Sequence, residues 1–356
     1  MRKRFIILIT YALALFTACS KSTNPIPTPP PVIPPTITPP VVTYVAGYVD
    51  NGTTKVATLW KDGMQSNLSG GLKSAQAHSV FVAGNDVYVA GFEDSNTNIS
   101  VAKIWKNGLA TNLTDGTKYA YVYSVFVSGA DVYAVGSESV TSFDPNLRIA
   151  KIWKNGVATN LTTGSYTADA VSVYVAGSDV YVVGQEKNIT GTFTAKMWKN
   201  GVASNLSTGS SYASEATCVY VFGTDVYVTW NDKATVADSP QNKIWKNGVS
   251  TLVPNATSLK SIFVNSTGIY TVGHYSMAAA VGPSVWKNDI VNLLTTSVAT
   301  NILMWPSIFV NGTDIYAVGN GDVALKVAPL LWKNGIASLL PTNGSNYGVA
   351  TSVFVK

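Results

Sequence analysis

The dominant feature of this 356-residue sequence is an internal repeat of about 45 residues. A Trp-Lys pair recurs seven times, and the spacings between successive tryptophans are 45, 48, 45, 47, 41 and 46 residues. The tryptophans are Trp60, Trp105, Trp153, Trp198, Trp245, Trp286 and Trp332. A second marker, a run such as VYVAG, keeps step with the first. Self-similarity at a period of this length is typical of solenoids and propellers.

One repeat unit, residues 79–114, predicts four antiparallel strands. It reads SVFVAGNDVYVAGFEDSNTNISVAKIWKNGLATNLT. Short β-branched and aromatic runs separated by turn residues are typical of strands and hairpins. The pair Asn107-Gly108, between the third and fourth runs, suits a type I′ turn because both residues tolerate positive φ. No amphipathic helical period follows the N-terminal region, so the sequence predicts an all-β fold.

A four-stranded unit of this length resembles one blade of a β-propeller. The chain enters its first unit at the second strand, near Thr43, and ends after a first strand, SVFV, that begins at Ser352. The two fragments complete one blade. The resemblance therefore implies a seven-bladed propeller over residues 42–356, closed by pairing the C-terminal strand with the N-terminal blade fragment. An open solenoid is the alternative, and it would require polar capping repeats at both ends.

The first 18 residues predict a secretory signal. The sequence RKR at positions 2–4 precedes an apolar stretch that is too short to span a bilayer. The following tetrapeptide FTAC resembles the lipobox of bacterial lipoproteins, with Phe16 in the place of the usual Leu. This resemblance implies removal of residues 1–18 and lipidation of Cys19. An ordinary signal peptide that contains a cysteine is the alternative.

Residues 19–41 are polar and rich in proline, which predicts an extended tether between the lipidated cysteine and the repeats. The expected location is the bacterial outer membrane, on either its periplasmic or its surface side. The Gly-His and Trp-Asp signatures of WD40 repeats are absent. The chain is similar to lipid-anchored bacterial envelope propeller proteins of unassigned function. This resemblance implies a fold and a location in the cell envelope, but it implies no particular reaction.

Charge and cysteine content argue against two classes of function. The sequence has 24 Lys and Arg against 19 Asp and Glu, a formal net charge of +5. Removal of residues 1–18 takes away three basic residues, which leaves 21 against 19, or +2. A nucleic-acid partner would require clustered basic residues. With Cys19 lipidated, Cys218 is the single remaining cysteine, so neither a disulfide nor a cysteine-based metal site is expected.

Residues shared by all repeats are interpreted as scaffold. The repeated Trp is predicted to pack between neighbouring sheets. The lysine that follows each Trp is predicted to lie on a solvated rim. A repeated aspartate is predicted to bond the backbone of its own turn. The aspartates are Asp86, Asp131, Asp179, Asp225 and Asp314.

Variation between repeats is concentrated in two loops, from strand two to strand three and from strand four to the next unit. In a propeller both loops lie on one face, called here the upper face, around the mouth of the central channel, where a ligand would bind. Tyrosine and tryptophan recur there amid Ser, Thr, Asn and Gly, as in carbohydrate-binding and protein-binding surfaces. The predicted ligand-binding residues are Tyr119, Tyr121, Tyr123, Tyr166, Tyr212, Trp230, Tyr275, Trp305 and Tyr347.

No catalytic residue, metal site or cofactor is predicted. His78 and His274 are the two histidines, and neither has a Cys or a second His nearby. Loop carboxylates are available for acid and base chemistry, provided that two or more cluster beside the channel. They are Glu93, Asp94, Glu138, Asp144, Glu186, Glu215 and Asp232.

The leading functional hypothesis is an envelope-anchored, monomeric propeller that captures a carbohydrate or protein ligand on its upper face. A scaffold for the assembly of envelope proteins is the second hypothesis. A glycan-cleaving hydrolase or lyase is the third.

Overall fold

The structure is a computed structural model that describes residues 40–207, 213–235, 237–277, 280–294, 300–324 and 326–356, with the backbone alone at 280–281 and 300–306. In these ranges the chain forms 28 strands in seven four-stranded antiparallel sheets. The described residues contain no helix of the length and apolarity that a membrane span requires. The all-β prediction is confirmed.

Six sheets each contain four consecutive strands, ordered from the innermost to the outermost. Blade two is β4 (Ala75–Ala83), β5 (Asp86–Asp94), β6 (Ser100–Lys106) and β7 (Leu109–Asn112). Blade three is β8 (Ala120–Ser128), β9 (Asp131–Ser139), β10 (Arg148–Lys154) and β11 (Val157–Asn160). Blade four is β12 (Ala168–Ala176), β13 (Asp179–Lys187), β14 (Phe193–Lys199) and β15 (Val202–Asn205).

The remaining blades follow the same plan. Blade five is β16 (Ala213–Phe222), β17 (Asp225–Lys233), β18 (Gln241–Lys246) and β19 (Val249–Leu252). Blade six is β20 (Ala256–Asn265), β21 (Gly268–Met277), β22 (Ala280–Lys287) and β23 (Ile290–Leu293). Blade seven is β24 (Thr300–Asn311), β25 (Asp314–Val323), β26 (Lys326–Lys333) and β27 (Ile336–Leu339). Blade one is β28 (Gly348–Val355), β1 (Thr43–Asp50), β2 (Lys55–Lys61) and β3 (Met64–Asn67).

Blade one joins the two ends of the chain. β28 pairs antiparallel with β1, which sets Phe354 opposite Tyr44. The backbone N–H of Val42 donates to the carbonyl of Lys356 (2.8 Å), and the N–H of Lys356 donates to that of Val42 (3.0 Å). β28 also contacts the innermost strands of blades two and seven, so the ring is closed. The predicted seven-bladed propeller and its closure are confirmed.

The repeated tryptophan packs each blade against the preceding one. Trp60 of blade one lies in a buried cluster with Tyr316, Val318 and Leu340, which belong to blade seven. Six of the seven repeated tryptophans are no more than 2% exposed. The exception is Trp245 in blade five, which is half-buried at an interface that Trp230 also occupies. The scaffold interpretation of the tryptophans is confirmed.

The repeated aspartate links the two hairpins on the face opposite the variable loops, called here the lower face. Asp86 accepts from Lys106 Nζ (2.7 Å) and from Asn107 Nδ2 (2.8 Å). Equivalent pairs recur at Asp131, Asp179, Asp225 and Asp314. The prediction that these carboxylates bond their own turn was therefore wrong, because each reaches across to the hairpin between strands three and four. Asn107 has φ 51° and Gly108 has φ 83°, as a type I′ turn requires.

Deletion of residues 350–356 should reduce stability by about 5 kcal/mol or more. It removes the buried side chains of Ala350, Val353 and Val355 and leaves the ring open at blade one. Urea unfolding followed by tryptophan fluorescence measures the loss. The control is Lys356→Ala, which removes an exposed side chain and its bonds to the Gly84 carbonyl and to Asn85 Oδ1. An unchanged midpoint for the deletion would contradict the closure.

Candidate functional site

A β-bulge interrupts the innermost strands, and in six blades it directs one extra residue toward the central channel. In β4 the register with β5 shifts between Ala77 and Ser79, so His78 has no partner on the neighbouring strand. Bulges re-aim side chains in this way. The shift recurs in all seven blades, and in blade seven it spans residues 304–306. The bulge residues of the other six blades are His78, Tyr123, Val171, Thr217, Lys260 and Thr351.

In five blades the glycine of the VYVAG run accommodates the close approach of the bulged strand. A Cβ atom added to Gly91 would lie 1.9 Å from the carbonyl oxygen of Gln76, the residue two before the bulge. Equivalent approaches of 1.9 to 2.0 Å occur at Gly47, Gly136, Gly184 and Gly273. In these blades the bulged strand passes too close for a side chain at the glycine position, whereas blade five keeps its bulge with Trp230 there.

Below the bulge residues, a ring of hydrogen bonds joins neighbouring inner strands. The Oγ of Ser79 accepts from the Val125 N–H of the next blade (3.2 Å), and Ser352 Oγ accepts in the same way from Val80 (3.2 Å). The same bond recurs in four other blades, where the accepting Oγ atoms belong to Ser124, Ser172, Ser261 and Ser307. Cys218 replaces Ser in blade five and accepts from the Ile262 N–H. Burial raises the pKa of this thiol, which favours its protonated, unreactive form.

A closed circle of aromatic rings narrows the channel below the hydrogen-bonded ring. Each inner strand contributes one side chain two residues after the Ser position, and adjacent ring centroids are 4.7 to 5.1 Å apart. The members are Phe81, Phe126, Tyr174, Tyr220, Phe263, Phe309 and Phe354. This circle forms the floor of the space above it.

Above the floor, the channel contains a cavity of about 640 Å³. Its wall includes all six bulge residues named above, together with Gln76, Asp169 and Glu215 from the same strands. The size is within the range of small-molecule sites. A second recess of about 380 Å³ lies against blades five and six and shares Glu215 and Lys260 with the cavity.

One side of the cavity carries an aromatic cluster from blades two and three. The ring of His78 stacks on that of Tyr123 with centroids 5.7 Å apart and planes at 18°. The ring of Tyr121 also stacks on that of Tyr123, with centroids 6.4 Å apart and planes at 12°. Phe92 meets the edge of Tyr121 at 5.1 Å and His78 at 5.6 Å. Since His78 and Tyr123 line the cavity, the cluster offers it flat apolar surface.

The protonation of His78 follows from its contacts. Its Nδ1 lies 2.8 Å from the carbonyl oxygen of Val122 in the next blade. A carbonyl only accepts, so Nδ1 carries the hydrogen and donates it. Burial lowers the pKa of His78 below its usual 6.5, which favours the neutral ring. Neutral His78 therefore has Nε2 as a hydrogen-bond acceptor.

A buried ion pair fixes one carboxylate in the cavity wall. Asp169 is 4% exposed and accepts from Arg148 Nε (2.8 Å) and Nη2 (2.7 Å) in a two-pronged arrangement. The bond to Asp169 raises the pKa of Arg148, so the guanidinium stays charged. Arg148 lies on strand three of blade three and Asp169 on the inner strand of blade four, so the pair also ties these blades together.

Six of the seven candidate acid and base carboxylates are engaged in local interactions. Four of them pair with a lysine of strand three in successive blades, at 2.5 to 3.1 Å: Glu93 with Lys103, Glu138 with Lys151, Glu186 with Lys196, and Asp232 with Lys243. Asp94 accepts from Ser100, and Asp144 accepts from the Asn146 N–H. Glu215 is the one that lines the cavity. In the described ranges, no group of three His, Cys, Asp or Glu is placed to hold a metal ion.

The predicted ligand-binding tyrosines lie in different settings. Tyr123 lines the cavity and Tyr121 packs behind it. Tyr119 is half-buried, and Tyr166 is 39% exposed on the upper face. Tyr347 is 37% exposed and stacks on Tyr48, which lines the cavity. The structure thus brings part of the set together around the channel.

The other predicted residues do not join this group. Trp230 is 4% exposed and packs between blades four and five, where its Nε1 donates to Ser250 Oγ (3.2 Å). Tyr275 is half-buried against Trp286. Tyr212 and the side chain of Trp305 lie outside the described residues. Trp230 replaces the VYVAG glycine, and its side chain fills an interface between blades, so it offers no surface to a ligand.

Sequence reasoning missed most of the bulge residues as contributors to a site, although a signal was present. The position directly before the repeated Ser or Cys is His, Tyr, Val, Thr, Lys, Pro and Thr in the seven repeats. A position that varies beside one that hardly varies indicates a side chain that the scaffold does not need. The structure places six of these residues in the cavity wall.

Comparisons with known proteins identify the fold. No protein-family model and no curated protein matches the chain. The β-propeller domain of the Trilobed protease from Pyrococcus furiosus is similar, with 9% identity and a TM-score of 0.50 over 86% of this chain and 93% of that one. That domain has an open velcro topology, whereas blade one of the present chain joins both chain ends.

A peptidase from a second Pyrococcus species is also similar. The acylaminoacyl peptidase from Pyrococcus horikoshii has 12% identity and a TM-score of 0.48 over 85% of this chain and 51% of that chain. The present chain thus spans about half the length of that peptidase. Taken with the described strands, the similarity to the Trilobed protease domain supports a β-propeller fold.

Gly91→Ala should destabilise the protein by about 2 kcal/mol, because the new methyl group would meet the Gln76 carbonyl and force the bulge to shift. The matched control is Gly70→Ala, where an added Cβ has no atom within 4 Å. Chemical unfolding of both variants gives the comparison. Equal stability of the two variants would show that the bulge is not constrained in this way.

His78 should titrate below pH 6.5 in the folded protein, since burial lowers its pKa. The unfolded chain takes up this proton near 6.5, so the stability is complete above pH 6.5 and falls as the pH drops below it. The NMR signals of the two imidazoles, assigned with His274→Gln, report the midpoint. His78→Gln should remove this part of the pH dependence, and a midpoint at or above 6.5 would contradict the buried neutral ring.

Proposed function

We propose that this protein is a binding propeller whose upper cavity holds a saccharide. The observation that supports the proposal most is the wall itself, where the stacked rings of His78 and Tyr123 stand beside Gln76, Asp169 and Glu215 around a space of about 640 Å³. A sugar ring has an apolar face that stacks on aromatic rings and hydroxyl groups that bond amides and carboxylates. The volume suits a ligand of one to a few sugar units.

The charges around the cavity favour a ligand without a strong net charge. Asp169 is already compensated by Arg148. Of the remaining charged side chains in the wall, Glu215 is acidic and Lys55 and Lys260 are basic. The mixture of signs gives no large field for a polyanion or a polycation. A recessed cavity also suits a small ligand better than the flat surface of a folded protein, which separates this proposal from a protein-binding scaffold.

A second candidate function is glycan hydrolysis in the same cavity. Two carboxylates, Asp169 and Glu215, line one space, and glycoside hydrolysis commonly uses such a pair. In this candidate Glu215 would serve as the acid or base, while Arg148 keeps Asp169 oriented. Glu215→Gln separates the two functions, because binding without turnover should persist in the variant if the protein only binds.

The N-terminal region completes the proposal. Residues 1–18 would be removed as a signal, Cys19 would carry the lipid, and residues 19–41 would tether a monomeric propeller to the bacterial outer membrane. The cavity would then sample glycans of the envelope or of its surroundings.

Tyr123→Ala should weaken saccharide binding by about tenfold, because it removes a ring on which the sugar stacks. A glycan array with residues 41–356, which form one compact unit, identifies the ligand, and calorimetry measures the affinity. The control is Tyr166→Ala, which removes an exposed ring on the same face outside the cavity wall. Equal losses in both variants, or a loss in the control alone, would contradict the cavity as the binding site.

A further inference from the structure

The outermost strand of every blade begins with an exposed aliphatic side chain. Each of these residues directly follows the hairpin turn on the lower face, and each is 68 to 77% exposed. We call this set the apolar rim: Met64, Leu109, Val157, Val202, Val249, Ile290 and Ile336. Equivalent positions of a closed ring of blades lie on a circle, so the rim surrounds the lower face.

Blade packing does not account for the chemistry of the apolar rim. A single exposed aliphatic side chain is ordinary on a protein surface. Here the position is aliphatic in all seven blades, although the residue itself changes among Met, Leu, Val and Ile. The next residue along the strand is Gln in blade one, Ser in blade five, Val in blade six and Ala in the other four. The apolar character is therefore kept at a position that is exposed in all seven blades.

The charges beside the rim are balanced. Each rim residue pairs across the hairpin with the lysine that follows the repeated Trp, as Leu109 does with Lys106. In five blades this lysine is paired with an aspartate. Aliphatic tips beside lysine stems suit the boundary of a lipid bilayer, where the stem lies among acyl chains and the ammonium reaches the headgroups. The balanced charge points to a zwitterionic bilayer.

The chain enters the propeller on this same face. Val42 is bonded to Lys356, and Lys356 Nζ bonds the carbonyl of Gly84 in a lower-face hairpin. Val42, just before the first strand, therefore lies on the side that carries the apolar rim. Seven separate aliphatic side chains on a circle match a planar bilayer, whose surface can receive each of them independently.

We propose that the apolar rim rests in the surface of the membrane to which the chain is tethered, so that the upper cavity opens away from the bilayer. The proposal rests on the lipid anchor at Cys19 and does not depend on which ligand the cavity takes. It assigns the lower face a membrane contact and the upper face free access for a ligand.

Fluorescent labelling of two opposite positions tests this orientation. In the full chain with Cys218→Ser, which matches the Ser of the other blades, Leu109→Cys places an NBD dye on the rim and Ile189→Cys places it on an upper loop. Ile189 is 84% exposed, so the two sites have comparable access to solvent. The lipidated protein is reconstituted in phosphatidylcholine vesicles, with and without nitroxide-labelled lipid.

The proposal predicts a blue shift at position 109 and loss of most of its emission with nitroxide lipid, with neither change at 189. Val202→Cys on blade four repeats the rim measurement, in case the first substitution disturbs blade two. Equal emission at the rim and the upper loop, quenching at 189, or a response at one rim site alone would each overturn it. No saccharide is present, so the outcome is independent of the proposed ligand.

Discussion

The pairing of β28 with β1 is the interaction on which the rest of the structure depends. It turns a row of seven similar sheets into a closed ring, and closure gives every blade a neighbour on both sides. Only then does each repeated tryptophan find a preceding blade to pack against, as Trp60 finds blade seven. The serine hydrogen bonds and the aromatic floor have the same requirement, because both form complete circles.

The bulge of the inner strand separates scaffold from site. Ser79 belongs to the scaffold, since its Oγ accepts a hydrogen bond from the Val125 N–H of the next blade. One residue earlier, at His78, the extra residue of the bulge faces the channel and is free of the alternation that fixes the other side chains. Gly91 supplies the space that this arrangement requires. Similar blades can in this way present different side chains to one cavity without loss of packing, as the six described bulge residues do.

Much of the fold could be predicted from the sequence, because period, turn residues and strand pattern all act locally. The placement of the site could not. Strand one was predicted to begin near Ser79, whereas β4 begins at Ala75, and the bulge reverses the side that the intervening residues face. Trp230 was predicted to lie on the upper face, but it is buried against the neighbouring blade. Its own repeat does not reveal that contact. Asp86 bonds a hairpin that is distant in sequence, which turn statistics do not register.

The central claim is that a ligand binds inside the ring of bulge residues and not on the outer loops. Val171→Trp tests it most directly, because Val171 lines the cavity and an indole there would fill the space while the loop tyrosines stay in place. The measurement is calorimetric titration of the variant with the best-binding saccharide, beside its thermal melt. The account predicts an unchanged melt and loss of binding. Retained affinity in a folded variant would contradict it and place the ligand on the loops.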